Sequence, residues 1–324
     1  MIDIKNIKPN IVTSSIYDKI WLYYGRPGTW KTTVATHEKD ITLLGAFEIG
    51  FKLIPGVKAA KLMKWSDLKD LIRQLDDDEA REMYKMVVID TIGLAYKTCI
   101  SYVCARKGVQ EIGEIPYGQG YAMAKNEFEK EISKIPQMGY GLIMIAHSDE
   151  LDDDKNGVSV KVDIDKRPSS VIKGMADFIL YARKENKDGS EDEQFVYAYS
   201  ETKNPNIEVK SRARFFPKRV EFTHEAIKKE LEEAIKKQNE FYNVESTDEE
   251  NFDVYKQEKI DLDPLKEQIV TLAQELLKTN LAERVSEVIQ KELKGIRVSE
   301  ATQAHADSLF AIYDQLLDLK KFSD

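Results

Sequence analysis

Only two cysteines, Cys99 and Cys104, occur in 324 residues. That is too few for a disulfide framework and suits a reducing cytoplasm. Five positions apart in a helical pattern, they do not share one face, and no Cys/His pair nearby completes a zinc spacing. They read as buried thiols. His37, His224 and His305 are scattered and form no ligand set. No apolar run approaches the roughly 18 residues of a membrane span. The opening MIDIKNIKPN has no apolar stretch of the kind that starts a secretory signal, so a cytoplasmic protein without membrane contact is expected. Cationic charge is also in deficit, with 48 Lys+Arg against 57 Asp+Glu and a formal net charge of −9. Bulk charge therefore does not coat nucleic acid, and any such contact must use local basic patches. What remains is a globular balance, 42% hydrophobic and 32% charged, of a length that suits about two domains.

Short apolar runs alternate with helical patterns from Ile20 to Phe222. WLYY (Trp21 to Tyr24), ITLLGAF (Ile41 to Phe47), MVVID (Met86 to Asp90) and GLIMIAH (Gly141 to His147) read as strands covered on both faces, since they hardly alternate. Helical stretches separate them: Lys31 to Lys39, Ser66 to Leu75, Gly93 to Lys107 and Tyr121 to Ile135. Later runs, Phe178 to Lys184, Gln194 to Glu201 and Ile207 to Ala213, read as further strands. The pattern predicts an α/β fold of βαβ units with a mainly parallel sheet, finishing in antiparallel strands. Residues 1–224 are assigned to this core. Residues 225–263 read as a Lys/Glu-rich helix and an acidic linker; from Asn239 to Asp263, nine acids face two lysines. Residues 264–324, opened by Pro264 near a helix start and carrying Leu265, Ile269, Leu272, Leu276 and Leu277 at helical spacing, predict a small all-α bundle.

The strongest signal is Gly25-Arg26-Pro27-Gly28-Thr29-Trp30-Lys31-Thr32-Thr33, after a strand and opening a helix. Backbone N–H groups at such a turn bind an anion. Lys31 is then placed to reach β/γ-phosphates and the Thr32 hydroxyl to ligate Mg²⁺. The general pattern GxxxxGK[ST] is broken by Trp30, which stands where glycine lets the backbone approach phosphate. Three readings stay open: a working site, a degenerate loop that binds nucleotide weakly, and a chance glycine-rich turn. Asp90, ending the apolar run Met86 to Ile89, sits where a carboxylate holds Mg²⁺ together with the Thr32 hydroxyl. The bland alternative is an aspartate that caps the next helix.

Tyr23 to Thr33, Val87 to Gly93, Tyr117 to Tyr121, Gly141 to Glu150, and Met175 to Glu185 leading into Lys210 to Phe215 together resemble the RecA-like P-loop ATPases. The likeness is greatest to phage-encoded ones associated with single-strand annealing and recombination. It spans about residues 15–222 and implies an ATPase using ATP and Mg²⁺, stimulated by single-stranded DNA, working in a host cytoplasm. It further implies Glu48 as general base for the attacking water, the alternative being a surface loop acid. It implies His147 as a sensor of the γ-phosphate, the alternative being a strand-end histidine. Lys210 and Arg212 resemble a Lys-x-Arg pair that reaches a neighbour's nucleotide, which implies a homo-oligomeric ring or filament. The alternative for this pair is a solvated basic edge strand, which with Arg214, Lys218 and Arg219 is also suited to a DNA backbone. The places such proteins use for nucleic acid correspond to loops at Arg106-Lys107 and from Ser148 to Pro168. The competing functional reading is a nucleotide-gated module that loads or regulates a single-strand-binding or annealing protein through residues 264–324.

Overall fold

The computed structural model describes residues 12–153, 157–186, 194–244 and 261–321. They form two compact units, one within residues 9–257 and one within 258–324.

In the first unit, β1 (Ile20–Gly25) leads into α1 (Lys31–Ala35), and β2 (Thr42–Ala46) and β3 (Lys58–Lys61) follow. Next come α2 (Trp65–Leu75), α3 (Asp78–Met83), β4 (Met86–Asp90), α4 (Ile92–Lys107) and α5 (Gln119–Gln137). A hairpin of β5 (Gly141–Asp153) and β6 (Gly157–Val162) precedes α6 (Lys166–Met175) and β7 (Phe178–Asn186). The unit closes with β8 (Gln194–Tyr199), β9 (Lys210–Ser211), β10 (Arg219–Glu221) and α7 (His224–Tyr242). The main sheet runs β10-β8-β7-β1-β5-β4-β2-β3. It is parallel from β7 to β3, whereas β8 and β10 add antiparallel strands. This is the expected α/β fold.

Every residue of β1 and β4 is buried, which explains why the two runs carry no polar alternation. Ile20, Leu22 and Tyr24 point into the layer formed by α2, α4, α5 and α6. Trp21 and Tyr23 point the other way, into a second core with Val34 of α1 and Ile227, Leu231 and Ile235 of α7. Cys99 and Cys104 are both buried and free.

Two expectations need correction. The segment Ser148 to Pro168 is not a loop: β5 continues to Asp153, β6 pairs back against it, and α6 begins at Lys166. Its acidic residues mask the period-two pattern of Val158, Val160 and Val162, of which the last two are buried. The strand expected from Ile207 to Ala213 splits between two partners, with Ile207 bridging Val160 while only Lys210 and Ser211 pair with β7. The edge elements β3, β10 and α3 escape a periodicity reading because they are short and rich in charge.

In the second unit, α8 (Asp263–Leu276), α9 (Ala282–Leu293) and α10 (Ala306–Lys321) enclose Leu265, Ile269, Leu272, Val285, Leu309, Ile312 and Leu316. Two 3₁₀ turns, Val298–Glu300 and Gln303–His305, precede the last helix. Of the acidic stretch, α7 takes residues up to Tyr242; residues 245–260 lie outside the described ones.

Candidate active site

The polar cluster gathers where β1, β4 and β2 end beside His147, within the longer β5, because parallel strands run to one edge. Gly25 stands in register with His147 of β5 on one side and Ala182 of β7 on the other. A Cβ on Gly25 would lie 2.2 Å from the Ala182 carbonyl oxygen, so the chain leaves the sheet here only through glycine. Gly28 turns at φ +77°. Trp30 adopts φ 57°, ψ 23°, the left-handed conformation that glycine reaches freely. Its side chain is turned outward, with the residue 56% exposed. The backbone thus follows the glycine path at a cost of about 1–2 kcal/mol.

Lys31 is 6% exposed. Its ammonium donates to the carbonyl oxygens of Gly25 at 2.8 Å and Arg26 at 2.9 Å, and reaches Thr29 Oγ1 at 3.3 Å. Burial lowers its pKa to about 8, against the opposing pull of Asp90 and Glu48. Thr32 Oγ1 donates to Asp90 Oδ2 at 2.6 Å. Asp90 is 4% exposed, and burial raises its carboxyl above the ordinary range although the Thr32 hydrogen bond and Lys31 counteract it. The Asp90 carbonyl oxygen also accepts from the backbone N–H groups of Phe47 at 2.7 Å and Glu48 at 3.1 Å, fastening the end of β2 to β4.

Glu48 and His147 meet above Asp90. Asp90 pairs with Ala46 on β2 and with Ile145 on β5, so each of the two lies two residues beyond it on a flanking strand. Two inter-strand spacings, about 10 Å, separate those strands, and the side chains close the gap with His147 Nε2 3.0 Å from Glu48 Oε1. His147 Nδ1 is buried with no hydrogen-bond partner among the described residues. Arg26 extends from the loop to Glu150 on the hairpin at 2.6 Å. Burial opposes ionisation of Glu150, yet hydrogen bonds from Arg26, Ser148 and Tyr181 hold its carboxyl below the usual range.

The structure therefore brings Lys31, Thr32, Glu48, Asp90 and His147 together at the loop Gly25 to Thr33. It does not bring Lys210 or Arg212 to the same chain's loop. Lys210 pairs with Ile179, and the Arg212 N–H donates to the Asp177 carbonyl at 3.0 Å, level with the start of β1, about 13 Å of strand below Gly25. Both converge instead on the end of α6. Lys210 Nζ donates to the carbonyls of Lys173 at 2.8 Å and Ala176 at 2.6 Å, while Arg212 donates to Gly174 O at 2.9 Å and Asp177 Oδ1 at 2.8 Å. Cations are favoured at such a helix end.

The donor set suits Mg²⁺. A threonine hydroxyl and a carboxylate offer hard oxygens side by side, and among the described residues no cluster of three or more His, Cys, Asp or Glu competes as a closed metal cage. Magnesium takes few protein oxygens and completes its shell with water and phosphate. The Arg26–Glu150 pair was not foreseen: its members are 124 residues apart, and Glu150 belongs to an acidic run that signals only solvent.

A family model described as an AAA domain matches residues 18–215. The SPbeta prophage-derived uncharacterized protein YorG of Bacillus subtilis (strain 168) is 29% identical over an alignment of 329 residues, covering 98% of each chain.

Proposed function

The chain belongs to the AAA domain family, and on that premise we propose that it is a Mg²⁺-dependent ATPase of phage type that acts on single-stranded DNA in recombination, repair or annealing. Family membership carries the coarse part, a nucleotide-binding P-loop ATPase. The single observation that supports turnover is the stacking of two contacts at one strand edge: Thr32 on Asp90 at 2.6 Å, and Glu48 on His147 at 3.0 Å just beyond.

In this reading Lys31 exchanges the Gly25 and Arg26 carbonyls for phosphate oxygens. Thr32 and Asp90 would hold Mg²⁺, which when bound neutralises charge on the phosphates. Glu48 takes the proton of the attacking water, and His147, hydrogen-bonded to it, adjusts that carboxylate as the charge ahead of it changes. The prophage-derived relative that spans the whole chain supports a phage setting. Support for DNA comes from exposed cations at Arg106 and Lys107, ending α4, and from Lys166 and Arg167, opening α6, with Arg167 3.8 Å over the Tyr121 ring.

Assembly into a ring or filament belongs to the same proposal. Arg212 keeps 52% of its side chain exposed despite its contact with Asp177, so it can turn to a neighbour's phosphates. A competing module reading, loading a single-strand-binding or annealing protein, draws on the second unit having a core of its own. Purified full-length protein decides between them. ATP turnover that requires Mg²⁺, rises with single-stranded DNA and vanishes in Lys31→Ala supports the motor. Capture of such a protein by a core that ignores DNA supports the module.

A further inference from the structure

A second lysine approaches the phosphate loop from the neighbouring strand. Phe178, Leu180 and Ala182 of β7 all point into the core shared with α1 and α7. Period two therefore puts Lys184 on the same face as these residues, two positions past the level of Gly25. That is the face on which the loop rises to enter α1. Lys184 is exposed, and its Nζ lies 3.8 Å from where a Cβ on Gly28 would stand. Gly28 has no side chain and turns at φ +77°, so the ammonium faces bare loop backbone. Lys184 also lines, with Arg26, Pro27 and Thr29, a cavity of about 490 Å³ that opens beside the loop.

Among the described residues, the other cations near the loop have partners: Lys31 donates within the loop itself, Arg26 is paired with Glu150, and Arg183, which lines the same cavity, lies 3.9 Å from Glu185. An anion seated on the loop thus meets, on its open side, a flexible ammonium that needs no rearrangement of the sheet.

We propose that Lys184 is a phosphate-binding residue of this chain, which contacts the polyphosphate of the bound nucleotide from the β7 side while Lys31 contacts it from within the loop. This rests on the nucleotide-binding reading above. A lysine suits the place because a point charge on a long stem follows phosphate oxygens without a fixed bidentate geometry.

The test titrates ADP, and a non-hydrolysable ATP analogue with Mg²⁺, into the full chain and its variants by calorimetry. Lys184→Ala is expected to weaken both by about 10- to 100-fold, the worth of one charge-assisted hydrogen bond. Lys184→Glu should weaken them further and Lys184→Arg should retain most of the affinity. Lys229→Ala, on the exposed side of α7, should bind as wild type does. Because Lys184 is at the surface, unchanged melting temperatures of the free variants will separate binding from folding. If Lys184→Ala and Lys184→Glu bind as tightly as wild type while Lys31→Ala does not bind, the inference about Lys184 falls and the nucleotide site stands. If wild type binds neither ligand, both fall.

Discussion

Replacing Lys31 by Met should make the ligand-free protein more stable while abolishing nucleotide binding. The ammonium is 6% exposed, and burial lowers its pKa from 10.5 to about 8. Every tenfold loss of proton affinity corresponds to about 1.4 kcal/mol, so keeping Lys31 charged in the free fold costs about 3 kcal/mol at pH 7. Methionine removes that cost, retains much of the stem's volume, and forfeits the donations to the Gly25 and Arg26 carbonyls, worth about 1 kcal/mol each. A net gain of about 1–2 kcal/mol remains, or several degrees in Tm at about 2–4 °C per kcal/mol. The pH dependence identifies the cause. Between about 8 and 10.5 the unfolded chain keeps the Lys31 proton that the fold has lost, so wild-type stability from this group rises with pH across that window. Lys31→Met lacks this rise, and its advantage should shrink by about 2 kcal/mol between pH 7 and pH 9.5. Chemical denaturation of both proteins without ligand at the two pH values measures it. A variant that is less stable at pH 7, or whose difference from wild type does not change with pH, refutes the reasoning.

Asp90→Asn should act in the same sense, since burial raises the Asp90 carboxyl: the fold binds a proton just above pH 3.8 that the unfolded chain has released, stability falls as pH rises through that window, and the amide removes the loss. Its cost should appear as Mg²⁺-dependent turnover lost while ADP still binds without metal, read by calorimetry with and without chelator. Trp30→Gly should exceed Trp30→Ala in stability by about 1 kcal/mol, because only glycine relaxes at φ 57°; equal denaturation midpoints would contradict the strain. Gly25→Ala should fail to fold at ordinary temperature, as its Cβ meets the Ala182 carbonyl at 2.2 Å, and circular dichroism reports it. Arg212→Ala should reduce turnover by about 10³-fold if it acts across subunits, with activity recovered on mixing it with Lys31→Ala; undiminished turnover by a monomer ends that proposal.

How much of the site is legible in the sequence follows from how each residue is held. Lys31, Thr32 and Asp90 are legible because local spacing decides them: a strand end, a turn and a helix start put the lysine and threonine side by side, and a buried apolar run puts the aspartate at the sheet edge. Glu48 and His147 are legible only as strand-end residues. Their 3.0 Å contact depends on strand order, with β4 lying between β2 and β5, which no periodicity reports. The hairpin is the reverse case. Its acids read as solvent, yet Glu150 is held by Arg26, Ser148 and Tyr181, and the Asp163 N–H donates to the His147 carbonyl at 2.9 Å. The first contact ties the hairpin to the loop, and the second closes the base of the hairpin beside the histidine. The end of β6, at that same base, leads through Asp165 at the cap of α6 to Arg167 on Tyr121, so the residue that Arg26 holds belongs to the hairpin that runs into α6. The connection is made of long-range pairs between residues of ordinary type. That is why motif reading locates the phosphate loop and passes over what the loop is joined to.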